Sequence, residues 1–217
     1  MKTGSPNKTR AGSPQKRERI LEAARTLFLT EGYERASVDA ISARAEVSKR
    51  TVYDYFGDKE AVFSAVVGAA NEALLASLQD ALDAEVTDDR DLGAALLGLA
   101  RRIVTETFSL SAYVVLRKSL ISEAARFALP EPQPAETPEE KIAERFAALT
   151  RAGRLEAPSP LRAAEHFIAL TFLLALDHLG PDSWRELGRT EVAEIDPILV
   201  DGVSAFLRAY GPAGRST

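Results

Sequence analysis

The chain has no cysteine in 217 residues, which excludes disulfides, thiolate metal sites and a cysteine nucleophile and makes a reducing cytoplasm the expected setting. Histidine is scarce as well. His166 and His178 are the two present and stand twelve positions apart rather than at i, i+4, so neither a metal nor a cofactor is expected. There is no glycine-rich phosphate loop and no nucleophile elbow, so an all-helical enzyme lacks its catalytic constellation. Long apolar runs are missing too. The longest, residues 167–176, is broken by Thr171 and reaches half the length, about 20 residues, that a bilayer requires. The N-terminal residues are basic and polar with no apolar run behind them, so no signal peptide and no membrane partner are expected. Period-two alternation long enough for a strand is absent throughout.

Helical periodicity is what remains. Hydrophobic residues make up 46% of the chain, enough for a substantial core at this length, and the expected class is all-α. The net charge of −5 is unevenly spread. Residues 1–60 hold 12 Lys and Arg against 9 Asp and Glu, while the remainder holds 15 against 23. Lys2, Lys8, Arg10, Lys16 and Arg17 precede the first acid, Glu18. A basic front on an acidic body suggests that the front alone meets a polyanion.

Residues 1–13 read as a disordered basic arm, rich in Gly, Ser, Pro, Lys and Arg. Ser13 and Pro14 then supply a cap and a first-turn proline for a helix with the stripe Ile20, Leu21, Ala24, Leu27 and Phe28, ending at Gly32. Ser37 and Ser48 cap two short helices, to about Ala45 and Tyr55. Gly57 and Asp58 lead into a long helix near Lys59 striped by Val62, Phe63, Val66, Val67, Ala70, Ala73, Leu74, Leu78 and Leu82. Further helices are expected over 92–108 and 112–128, with a proline-rich loop over 129–137. Thr137, Pro138 and Glu140 form a capping box for a helix ending at Gly153. Ser159 and Pro160 start another that stops at Gly180. Because Pro197 falls early in the last stripe, that helix is expected to begin with Asp196 as cap.

The informative stretch is 37–56. Two helices this short are marginal alone and must share a core, with Ile41, Ala45, Val47 and Val52 turned inward onto Leu27 and Phe28. Three small helices on one core form a helix-turn-helix. The outward set is Lys49, Arg50, Thr51, Tyr53 and Tyr55, and in such a unit the second short helix enters the major groove. Arg50 suits guanine and Thr51 a base edge or thymine methyl; Lys49, Tyr53 and Tyr55 suit phosphate oxygens. Ser37, Ser48 and Lys59 stand at helix starts, where backbone N–H groups favour phosphate. Glu46 occupies the turn; a left-handed conformation there would cost about 1 kcal/mol.

At residues 14–74 the chain resembles the TetR/AcrR family of bacterial transcription regulators. The resemblance runs from Arg-Ile-Leu-Glu-Ala-Ala-Arg-Thr-Leu-Phe to Val-Ser-Lys-Arg-Thr-Val-Tyr-Asp-Tyr-Phe-Gly-Asp-Lys-Glu-Ala-Val-Phe. It implies an N-terminal three-helix DNA-binding domain over 14–74, a larger helical ligand-binding and dimerisation domain over 75–211 and a tail over 212–217. It also implies a homodimer on a palindromic double-stranded operator, repressing until a small, largely apolar effector releases it. The family's DNA contacts then fall on Ser37, Ser48, Lys49, Arg50, Thr51, Tyr53, Tyr55 and Lys59. Candidates for lining an effector pocket are Phe108, Tyr113, Leu116, Arg117, Phe127, Phe146, Phe167 and Phe172. The helix over 161–178 is apolar around most of its circumference, and with the striped last helix it is expected to meet a second copy through Phe167, Leu174, Ile198, Leu199, Val203 and Phe206.

Overall fold

Pro14 opens the first helix, α1 (Pro14–Glu31), in a computed structural model of the chain that describes residues 13–107, 136–179 and 189–212. Proline costs nothing there, because the first helical N–H has no partner inside the helix. Gly32 ends α1 at φ 82°, its N–H donating back to the Phe28 carbonyl. The remaining described elements are α2 (Val38–Arg44), α3 (Lys49–Phe56), α4 (Lys59–Glu85), α5 (Leu92–Arg102), α6 (Pro138–Arg151), α7 (Pro160–Ile168), α8 (Leu174–Leu179) and α9 (Arg189–Tyr210). No strand occurs among the described residues, and the class is all-α. All of the expected arm over 1–13 but Ser13, the helix over 112–128, most of the proline-rich loop and the residues after 212 lie outside them.

Two compact units divide the chain, and the division falls at Gly68, inside α4. The first unit's core is built from Ile20, Ala24, Leu27 and Phe28 of α1, Ile41 of α2, Val52 of α3 and Val62, Phe63 and Val66 of α4, all buried. Phe28, Tyr33 and Phe63 close it as a triad of rings, with the Phe28 and Phe63 centroids 4.9 Å apart and edge to face. Helices of seven and eight residues cannot persist alone, so α2 and α3 exist because α1 and α4 give Ile41 and Val52 somewhere to be buried. Each such side chain contributes roughly 1.5–3 kcal/mol.

The second unit buries Leu78, Leu82, Leu96, Leu99, Phe146, Phe167, Ile195, Leu199 and Phe206 in one cluster. Thr137 and Glu140 form the expected capping box at α6. Two departures from regular helix were not anticipated. The backbone widens into π-helical turns at Ile103–Thr107, after α5, and at Ala169–Leu173, between α7 and α8. Along α4, Ala73 is exposed and Ala70 only half-buried, so the stripe is narrower than its spacing suggests. The same helix contains an 18-residue window of mean hydropathy 1.6, long and apolar enough to cross a membrane by length and composition. The interrupted run at 167–176 gave no hint of this. Leu74, Leu78 and Leu82 of that helix are nevertheless buried within the second unit.

Two further expectations are corrected. The last helix begins at Arg189, seven residues before the expected cap at Asp196, with Pro197 inside it. Proline removes one helical hydrogen bond, but Ile195 in the preceding turn is 1% exposed, and that burial holds the turn in place. Asp196 does not cap. It accepts two hydrogen bonds from Arg101 at 2.7 and 2.9 Å, which hold its carboxyl below the usual aspartate range.

The expected dimer contacts Phe167, Leu199, Val203 and Phe206 are at most 4% exposed within one chain. They have no surface left to offer a second copy. The stripe of α9 faces its own unit, and Leu174 and Ile198 alone of the expected set keep accessible area.

Candidate nucleic-acid interface

Ser37 starts α2 by accepting the Ala40 N–H at 3.0 Å, and Ser48 starts α3 by accepting the Thr51 N–H at 3.1 Å. Between them the turn closes when the Val47 N–H reaches the Ser42 carbonyl at 3.0 Å. That closure places Glu46 at φ 53°, in the left-handed conformation. Its carboxylate lies 3.6 Å from Arg19 of α1.

Burial of Val52 at 1% exposure sets which side of α3 looks outward. Arg50 stands farthest out, its side chain 89% exposed and 3.9 Å from Asp54 at the outer limit of an ion pair. Tyr53 is 43% exposed. Lys49 is exposed but held by Asp39 of α2 at 2.9 Å, and the hydrogen bond it donates to that carboxylate raises the ammonium above the usual lysine range. Thr51 is half-buried, its hydroxyl 2.8 Å from that of Ser48.

Two expected phosphate contacts are otherwise engaged. Tyr55 is half-buried and its hydroxyl donates to the Ser13 carbonyl at 3.0 Å, so it faces the start of α1 rather than solvent. Lys59 donates to the Glu34 carbonyl at 3.2 Å and lies 4.3 Å from the centre of the Tyr33 ring. At the start of α4, Asp58 accepts the Ala61 N–H at 2.7 Å, so a carboxylate already occupies part of that helix end.

The residues that sequence reasoning missed are these partners: Asp39, Asp54, Asp58, Arg19 and Ser13. Asp54 was legible as an i, i+4 partner of Arg50, and Asp58 as a cap before Lys59 and Glu60. The pairs that join separate helices carry no such spacing.

In the second unit, Phe146 and Phe167 meet edge to face at 5.6 Å within the buried cluster, and Phe172 packs half-buried against it. Phe108, Tyr113, Leu116, Arg117 and Phe127 lie outside the described residues. His166 Nδ1 is 2.7 Å from the Tyr210 hydroxyl. A cleft of about 660 Å³ is lined by Arg90, Asp91, Arg154, Leu207 and Gly211 among others, and by none of the expected effector residues. Asn71 of α4 is 4% exposed; its Nδ2 donates to the Glu136 carbonyl at 3.1 Å, while its Oδ1 has no partner among the described residues. No group of three metal-ligating side chains occurs among the described residues.

Residues 20–66 match the family described as bacterial regulatory proteins, tetR family, and residues 94–212, over half of the chain, match the C-terminal domain of AefR-like transcriptional repressors. The HTH-type transcriptional regulator TcmR of Streptomyces glaucescens is 38% identical over 63 residues, 29% of this chain and 28% of TcmR. The chain thus spans less than a third of the length of that curated relative. Solved structures match more broadly. A protein from Mesorhizobium loti assigned to the TetR family superposes with a TM-score of 0.77 at 25% identity, over 92% of this chain and all of that one. The flavonoid-responsive regulator FrrA superposes with a TM-score of 0.65 at 29% identity, over 93% of this chain and all of FrrA.

Proposed function

This chain belongs to the TetR family of bacterial transcriptional regulators, and from that premise we propose that it binds one duplex DNA sequence as a homodimer and represses until a small, largely apolar effector releases it. The observation that carries the DNA reading is the outward face of α3, where Arg50 and Tyr53 are exposed opposite buried Val52. In this reading Arg50 meets guanine bidentately and Thr51 touches a neighbouring base edge. Lys49 exchanges Asp39 for a phosphate, and Tyr53 takes another. Ser37 and Ser48 set the register from the helix starts, and Lys59 exchanges the Glu34 carbonyl for a phosphate. Tyr55 has no part in this contact set, since its hydroxyl is committed to Ser13.

Exposed Leu173, Leu174 and Val200, with half-buried Ile198, support pairing of two copies. A two-fold would set the α3 helices about 34–36 Å apart and read a palindrome. Asn71 Oδ1, buried and without a hydrogen-bond partner among the described residues, supports an effector that carries at least one hydrogen-bond donor on an otherwise apolar body. Likeness to a regulator described as flavonoid-responsive supports the same chemistry. Release would act through α4, a single helix that contributes residues to both units. A coupling of roughly 1–3 kcal/mol changes affinity about 5–150-fold. The setting is the cytoplasm, where the DNA is.

Selection from a random duplex pool by the whole chain is the test. A recovered palindrome is expected; recovery of no preferred sequence overturns the reading. Against the recovered duplex, Arg50→Ala should lose about 1–3 kcal/mol and relax one base position.

A further inference from the structure

Residues 38–56, the proposed reading surface, carry Arg44, Lys49 and Arg50 against Asp39, Glu46 and Asp54, a balance of zero. Affinity for duplex DNA grows with the phosphates a protein neutralises, so each of these carboxylates weakens the attraction. Two of the three have partners that account for their place. Asp39 joins α2 to α3 through Lys49, and Glu46 lies 3.6 Å from Arg19 of α1. Asp54 instead pairs within its own helix, with Arg50 one turn earlier.

That pair does little for α3. Asp54 stands in the last turn of the helix, where the helix dipole disfavours a carboxylate. An arginine followed four residues later by an acid is also the weaker order for such a pair. At 3.9 Å the contact is longer than a hydrogen bond, so the guanidinium and the carboxylate each keep their hydrogen-bonding groups for another partner. Both are open to one. Arg50 and Asp54 stand two residues either side of buried Val52, which puts them on the opposite face of the helix, and the Asp54 side chain is 65% exposed.

In a major groove a carboxylate is repelled by the phosphates and by every acceptor on the base edges. Cytosine presents a donor there, its N4 amino group, with no acceptor beside it, whereas adenine sets its N6 donor next to the N7 acceptor. We propose that Asp54 is a specificity-determining residue: its carboxylate accepts a hydrogen bond from cytosine N4, one or two base pairs from the guanine that Arg50 reads, and repels duplexes that place another base there. Four residues of helix rise about 6 Å against about 3.4 Å per base pair, which sets that spacing. The inference rests on the DNA-binding reading of α3.

The test repeats the selection from a random duplex pool with the full chain and with Asp54→Ala, Asp54→Asn and Asp39→Asn. Affinities for the duplex selected by the full chain, and for a mixed-sequence duplex of the same length, are then measured for all four. Asp54→Ala should erase one base preference, for cytosine, and Asp54→Asn should replace it with adenine, whose N6 and N7 an amide meets together. Each should lower the ratio of selected to mixed-sequence affinity by about fivefold or more. Asp39→Asn removes the same charge from α2 and should tighten binding to both duplexes alike, with the base profile of the full chain intact. If both Asp54 variants keep that profile, or if Asp54→Ala erases preference for a base other than cytosine, the inference is overturned and the α3 reading stands. Failure of the full chain to prefer any sequence removes both.

Discussion

In the first unit the described backbone leaves helical geometry at Gly32, Glu46 and Gly57, each between helices. In the second unit it leaves regular geometry along its helices too, at Ile103–Thr107 and at Ala169–Leu173. The contrast shows two ways to fit helices to a core. Short helices meet through turns whose residues carry the torsion, and long helices that must pack along their whole length absorb the misfit in their own turns. Gly202 of α9 illustrates the second way. A side chain there would collide with the Leu170 carbonyl in the widened turn, so the close approach of the two helices requires glycine.

The strongest way to break this contrast is to empty each core in turn. Phe206→Ala should cost the second unit about 3–5 kcal/mol, and Phe63→Ala should do the same to the first. Hydrogen exchange is expected to report faster opening chiefly in the unit that carries the change, and Phe63→Ala alone should abolish DNA binding. Equal loss of protection in both units from either change would show that the division at Gly68 has no energetic meaning. Gly202→Ala comes next, at about 1–3 kcal/mol, because a backbone carbonyl rather than a flexible side chain must move. Urea unfolding measures it, and a neutral result would mean that the helices separate freely there.

These differences explain what could be read from the residues alone. The caps at Ser37, Ser48 and Thr137 and the ending at Gly32 were legible because a hydroxyl or a missing Cβ acts within four residues of itself. The outward face of α3 was legible because Val52 alone is buried in that helix. Tyr55 was misread because its partner is 42 positions away. Phe167, Leu199, Val203 and Phe206 were misassigned to a pairing surface because an apolar stripe shows that a face is covered without showing what covers it. Pro197 suggested a helix start, but Ile195 is buried two residues earlier and holds the helix together through it.

A smaller effect sharpens the contrast from the first unit. Glu46→Gly should stabilise by about 1 kcal/mol, since φ 53° suits glycine and strains other residues. It should also tighten DNA binding by removing a carboxylate beside the reading helix, although pairing with Arg19 limits that gain. Thermal melting and affinity for the selected duplex together check it. No change in melting would mean that the turn accepts Glu46 without strain.

The smallest effect compares two ion pairs. Glu22 and Arg25 lie in one turn of α1, whereas Asp196 and Arg101 join helices 95 positions apart. Hydrogen bonds from the arginines lower the carboxyl pKa in both cases, so each pair stabilises fully above the unfolded value, near 4, and loses that contribution as pH falls through its lowered folded value. Solvent screening keeps either below about 1 kcal/mol. Asp196→Asn should flatten the acid side of the second unit's stability profile, because the pair links α5 to α9. Glu22→Gln should change only the fraying of α1. If the two substitutions shift acid unfolding equally, the Arg101 contact adds nothing beyond a local pair, and α9 is held in place by its buried face alone.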